Sequence, residues 1–216
     1  MRLIDTTTGE LKYFIGSNIP HYAILPYLGR GRGNIQDYLG GQHENVQGFE
    51  KIAQTCRVTR ERSIQYVWVD TCCIDKTSSA ELSEAINSMY RWYERAAECY
   101  AFLSELPADA DMELELIASP ELEFYDGSWN MIGTKSGLSR QISATTLIDE
   151  DLLKGIVDLS EYCVATEMSW AANRQTTRIE DRAYSLLGLF DVNMPLSYGE
   201  EGKSFWRLQE ETMRST

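Results

Sequence analysis

The stretch "QYVWVDTCCIDKTSSAELSEAINSMYRWYERAAECYAFL" constrains the fold more than any other part of the chain. Tyr66, Val67, Trp68 and Val69 are aromatic or β-branched, as a buried strand requires. Asp70 and Asp75 interrupt that run. Ser78 and Glu81 then stand at capping-box spacing, and Leu82, Ala85, Ile86, Met89, Tyr93 and Ala96 recur on one helical face. Cys99–Leu103 reads as a further short strand. Upstream, His21–Leu28 ("HYAILPYL") reads as a strand, and "GFEKIAQTCRVTRER" places Phe49, Ile52, Ala53 and Cys56 at helical spacing. Strand, helix, strand, helix, strand implies an α/β fold whose mainly parallel sheet is flanked by helical crossovers. Such sheets bind ligands beyond the carboxyl ends of their strands, which is where Asp70 and Asp75 fall. An aspartate there also closes a turn or caps the next helix, and the residues themselves favour neither reading.

Beyond the third strand the character changes. From Glu105 to Asp126 there are eight acidic residues and no basic one, which reads as a solvated loop or the acidic start of a helix. "EFYDGSWNMIGTKSGLSRQIS" reads as a strand, a turn at Asp126-Gly127 and a short helix. "TTRIEDRAYSLLGLF" opens with a second capping-box pair, Thr177 and Glu180, and predicts a helix burying Ile179, Ala183, Leu186, Leu187 and Phe190. "KSFWRLQEETMR" predicts an amphipathic helix. There is no repeat, low-complexity tract or linker. The expectation is one domain over 1–216, with the sheet in 1–137 and a mostly helical portion in 138–216.

Charge and cysteine usage narrow the function classes. Lysine and arginine number 20 against 33 acidic residues, a net charge of −13. That disfavours nucleic acid and anionic membranes as partners. Five cysteines, two histidines and no C-x-x-C spacing make a metal site or disulfide framework improbable, and reduced, mostly buried thiols are expected. On a strand, adjacent Cys72 and Cys73 would point to opposite faces. The N-terminus "MRLIDTTTGELKYF" has no signal-peptide core, and no apolar run is long enough to cross a bilayer, so a cytoplasmic protein is expected. "GRGRG" follows a strand, which makes Gly29, Arg30 and Arg32 ligand-pocket candidates beside the plainer reading of a surface turn.

Five stretches together resemble the fungal heterokaryon incompatibility (HET) domain: "YAIL", "YVWVDTCCIDK" with "SSAELSEAINSMYRWY", "FYDGSWNMIGTKSGLSRQIS", "MSWAANRQTTRIEDRAYSLLGLFDVNMPLSYGE" and "SFWRLQEE". The resemblance covers nearly the whole chain. It implies an intracellular module of nonself recognition that promotes programmed cell death, acting through protein partners or self-association. It also implies a remote likeness to Toll/interleukin-1 receptor (TIR) domains, with a flavodoxin-like sheet. Some of those hydrolyse NAD with a glutamate on the helix after the third strand. On that likeness Glu115 is the candidate catalytic residue, NAD the candidate substrate, and no resident cofactor is expected. Its plainer reading is an exposed acid in an acidic loop. Two stretches depart from the family pattern. Pro26 and Leu28 replace a serine and a tryptophan of the first motif, and an arginine- and tryptophan-rich segment ending in Trp-Thr-Leu-Gln-Glu is largely missing, with Met112–Glu115 at its end.

Overall fold

The computed structural model describes residues 1–16, 18–26, 38, 47–103, 112–172, 174 and 176–215. The chain forms two compact units. The first takes Met1–Leu82, Arg95–Ala110 and Glu121–Thr134; the second takes Ser83–Glu94, Asp111–Pro120 and Lys135–Thr216.

The first unit is built on a seven-stranded sheet of order β2-β1-β4-β3-β5-β6-β7. Its strands are β1 (Arg2–Asp5), β2 (Leu11–Tyr13), β3 (Tyr22–Leu25), β4 (Tyr66–Val69), β5 (Glu98–Phe102), β6 (Leu122–Tyr125) and β7 (Met131–Thr134). The four central strands, β4-β3-β5-β6, are mutually parallel. Each consecutive pair of them is linked through a helix: α1 (Gln47–Glu61), then α3 (Ser79–Arg95), then α4 (Glu113–Ala118), with α2 (Asp70–Cys73) a short turn after β4. A parallel pair needs such a crossover, because a tight turn only returns the chain antiparallel. In chain order the central strands run second, first, third, fourth, which is the flavodoxin-like arrangement, with its switch point between β3 and β5. Tyr22 through Leu25 are buried along the whole of β3, as expected for a strand covered on both faces.

The three outer strands pair antiparallel and were not visible in the periodicity. The β1–β2 hairpin owes its turn to Asp5, whose Oδ1 accepts from Thr7 and Thr8 N–H at 2.9 and 3.2 Å. Gly9 closes it at φ +71°, and its N–H donates to the Asp5 carbonyl at 2.8 Å. β7 returns along β6 through the Asp126-Gly127 turn.

The second unit packs Tyr184, Leu187 and Leu208, all at most 2% exposed, with Ile86 and Tyr90 of α3. Its described helices after α4 are α5 (Ser139–Thr146), α6 (Glu150–Leu153), α7 (Val164–Trp170), α8 (Asp181–Tyr184) and α9 (Lys203–Ser215), besides a 3-10 turn at Leu159–Glu161. The long helix expected from Thr177 to Phe190 is only α8 followed by turns. Glu180 does not cap it; its carboxylate accepts from Gly199 and Glu201 N–H at 2.8 and 3.0 Å, tying down a distant loop. Ile179, expected in the core, is 62% exposed, whereas Ala183, Leu186, Leu187 and Phe190 are buried. No helix among the described residues is long and apolar enough to cross a membrane.

Candidate functional site

At the carboxyl end of β4 the chain turns at once into α2, so Cys72 and Cys73 share a helical turn rather than the opposite faces of a strand. Both are buried. The Cys73 Sγ accepts from Val69 N–H at 3.3 Å, and the Cys72 thiol donates to the Val69 carbonyl at 3.8 Å. The adjoining Cys73 thiol, with burial, pushes the Cys72 thiol well above its usual range, so it stays protonated and unreactive. Cys56 and Cys99 are also free and buried; Cys163 is free and exposed.

Asp70 accepts from Lys76 Nζ at 3.1 and 3.3 Å. Asp75 accepts from the Thr77 hydroxyl at 2.6 Å and the Thr77 N–H at 3.0 Å, and these bonds hold its carboxyl below the usual range. The capping box that follows is half formed. Glu81 N–H donates to Ser78 Oγ at 3.3 Å, but the Glu81 carboxylate accepts from Asp75 N–H at 2.8 Å and pairs with Arg2. These acids therefore build the turn between β4 and α3. The Gly29, Arg30 and Arg32 candidates lie outside the described residues.

Sequence reasoning passed over an aromatic group at the carboxyl ends of β5 and β6. Phe102 lies 5.1 Å from the Trp129 ring, Tyr125 lies 5.6 Å from it, and Lys51 Nζ stands 4.8 Å over Phe102. Trp129 adopts φ +61°, a left-handed conformation that a tryptophan rarely takes. The Asp126 carboxylate imposes it by accepting from Ser128 and Asn130 N–H at 2.8 and 2.9 Å. The Asp-Gly pair was the available signal for that turn, but nothing in the spacing showed where its indole would go.

Glu115 belongs to the second unit and sits on α4, the described helix that follows β5, the third parallel strand. It is half-buried, not an exposed loop residue, and its Oε2 is enclosed without a hydrogen bond. Burial pushes its carboxyl up, partly offset by the Arg174 guanidinium. Arg174 also faces Glu113 at 3.7 Å. The far end of α4 is fixed by the buried Lys135, whose Nζ donates to the Leu116 carbonyl at 3.0 Å and to that of Ser119. A carboxyl that holds its proton more tightly than usual, on a pinned helix, is suited to hydrogen-bond donation or general-acid chemistry. Among the described residues no group of three or more His, Cys, Asp or Glu is placed to hold a metal ion.

Comparison with known proteins bears on how this geometry is used. A family profile described as "Heterokaryon incompatibility protein (HET)" matches residues 30–183. The chain is also 37% identical, over 240 aligned positions, to "Vegetative incompatibility protein HET-E-1" of Podospora anserina. That alignment covers 97% of this chain but 18% of the relative, so the chain spans about a fifth of that protein's length. Since 97% of 216 residues is about 210, the relative carries about 30 residues within the aligned region that this chain lacks. No solved structure matches the chain significantly.

Proposed function

Because the chain belongs to the heterokaryon incompatibility family, we propose that it is a signalling module of nonself recognition, one that promotes death of the fungal cell through protein contacts. One observation carries this reading: 37% identity to a vegetative incompatibility protein, sustained over 97% of the chain. The chemistry around the sequence candidates is consistent with it. Asp70 and Asp75 are engaged in turn and ion-pair contacts, and the buried Cys72 thiol is held protonated. An acidic surface of this strength also suits protein partners better than nucleic acid or anionic lipid. The test is inducible expression of the chain in a filamentous fungus, with a vital dye scoring hyphal death. Death or growth arrest on induction is expected; normal growth with soluble, folded protein present would sink the reading.

A second reading is favoured by the strand order. A flavodoxin-like strand order suits a nucleotide ligand, and Glu115 follows the third parallel strand in the chain, on α4. On this reading the module consumes NAD, with the Glu115 carboxyl supporting the ribose as positive charge develops at the anomeric carbon. Nicotinamide release by the purified chain, abolished in Glu115→Ala, would make this the leading account. The absence of release from folded protein would remove it.

A further inference from the structure

We infer that the aromatic group at the carboxyl ends of β5 and β6 holds the base of a nucleotide against Trp129, with Lys51 facing its phosphate. The site draws on the same strand order as the second reading above, but all its residues belong to the first unit and Glu115 plays no part in it.

The backbone of Trp129 stands at φ +61°, a conformation suited to glycine, and bulky residues held in such conformations cluster at binding sites. The Asp126 carboxylate fixes the turn, accepting from the N–H groups of Ser128 and Asn130 and from the Asn130 side-chain amide at 3.0 Å. The indole is thereby set against the strand ends. It is half-buried, whereas Phe102 and Tyr125 are buried and the flanking Ser128 and Asn130 are exposed. Its plane is inclined by 32° to the Phe102 ring and by 46° to the Tyr125 ring. A large planar side chain backed by two buried rings and still reached by solvent is a stacking surface.

Position and charge select the guest. Phe102 ends β5, which borders the switch point of the sheet, where sheets of this order receive ligands. Lys51 Nζ lies 4.8 Å over the Phe102 ring and the indole lies 5.1 Å from that same ring, so ammonium and indole are less than about 10 Å apart. One nucleotide spans that gap. An ammonium there repels organic cations, the other common guests of aromatic groups, and attracts a phosphate. Lys51 also belongs to the opening turns of α1, which leads from the end of β3 back to the start of β4. The N-terminal end of α1 therefore lies where the parallel strands finish, and its dipole adds positive potential. Asp126, the acid nearest to Trp129 in the chain, has its carboxylate turned into its own loop.

The probes are AMP, adenosine, ribose 5-phosphate and tetramethylammonium, each titrated into the purified full chain while the indole N–H resonances are followed by NMR. AMP is expected to shift Trp129 saturably and to leave Trp206, which is 72% exposed on α9, unmoved. Adenosine should bind about tenfold more weakly, and neither ribose 5-phosphate nor tetramethylammonium should move Trp129. Lys51→Met, which keeps an apolar stem, should bring AMP down to the adenosine level. By calorimetry, Trp129→Leu should weaken both by about tenfold or more. An unmoved Trp129 with AMP, equal binding of AMP and adenosine, a Trp206 response matching that of Trp129, or a shift of Trp129 by ribose 5-phosphate or tetramethylammonium would each overturn the site. Should either variant fold poorly, the ligand series on the wild-type chain decides by the same outcomes. AMP binding without nicotinamide release from NAD would leave this site standing and remove only the hydrolysis reading. Hydrolysis of NAD by a chain whose Trp129 ignores AMP would do the reverse.

Discussion

Gly188 shows how little room single residues have in the second unit. A Cβ built there would lie 2.0 Å from the Tyr90 Cβ and 2.8 Å from its Cγ, so α3 or the turn after α8 would have to move. Overpacking of this kind costs about 1–3 kcal/mol, and contact with a Cβ rather than a flexible tip puts it at the upper end. Gly188→Ala should therefore lower the melting temperature by about 4–12 °C for a chain of this size; an unchanged midpoint would show that the contact relaxes freely. Ionisable residues give a second measurement. The Lys12 ammonium, 2.7 Å from the Asp5 carboxylate, holds Asp5 at about 2 in the fold against an ordinary 3.8. Its contribution is complete above the unfolded value and disappears as pH falls from 3.8 through about 2. Glu115 and Glu167 behave oppositely. Burial raises both, so their contribution is complete below the unfolded value of 4.5 and is lost as pH rises toward their folded values. Glu167→Gln should thus stabilise the isolated chain at pH 7 and flatten its loss of stability above pH 4.5, whereas Asp5→Asn should destabilise at pH 7 and flatten the acid limb. Thermal unfolding between about pH 2 and 8 reads both signs; reversed signs would contradict the burial argument.

Among elements, α4 depends most on a contact from elsewhere in the chain. It spans six residues, too few to be stable by itself, and the buried Lys135 donates to two carbonyls at its end. A cation there also opposes the negative end of the helix. Lys135→Met keeps the length and the apolar stem but leaves those carbonyls enclosed, at a cost of about 1–3 kcal/mol. Hydrogen exchange in Glu113–Ala118 should accelerate more than in β3, and equal acceleration in both would mean that Lys135 supports the whole fold rather than this helix. No sequence pattern announces such a lysine, because a partner 16 to 19 residues away is set only by tertiary structure. The elements that were legible in the sequence are those whose pattern follows from complete burial. β3, β4, β5 and β6 carry near-continuous apolar runs, and α1 and α3 show the matching helical stripe. β1, β2 and β7 escaped notice: β1 is largely buried but begins and ends on charged residues, Arg2 and Asp5, and β2 and β7 carry half-buried or exposed side chains. Glu180 misled for a different reason: its spacing from Thr177 fits a capping box, but its carboxylate is used 19 and 21 residues further on. The site was legible to the same degree. Asp70 and Asp75 fall where the strand run ends, whereas the direction of the Trp129 indole is fixed by a turn that only the folded chain shows.

For the whole molecule, the charge of −13 sets the manner of association. Two copies approaching each other bring like charge together, so self-association is opposed by long-range repulsion, which salt relieves. A basic partner is drawn by the same field, and salt weakens that attraction. The Debye length falls from about 10 Å at 0.1 M to about 3 Å at 1 M, so the two modes respond in opposite directions over an accessible range. The acidic excess favours the second mode, since a copy of this chain presents more acid than base to its neighbour. The purified chain should accordingly remain monomeric by sedimentation between about 0.02 and 0.2 M salt, where repulsion is least screened. A basic protein partner should bind more weakly at each increment over the same range, mainly through a slower association rate. Dimers that persist at low salt and strengthen as salt is added would show that apolar or backbone contacts between copies overcome the repulsion. Self-association would then be the signalling event.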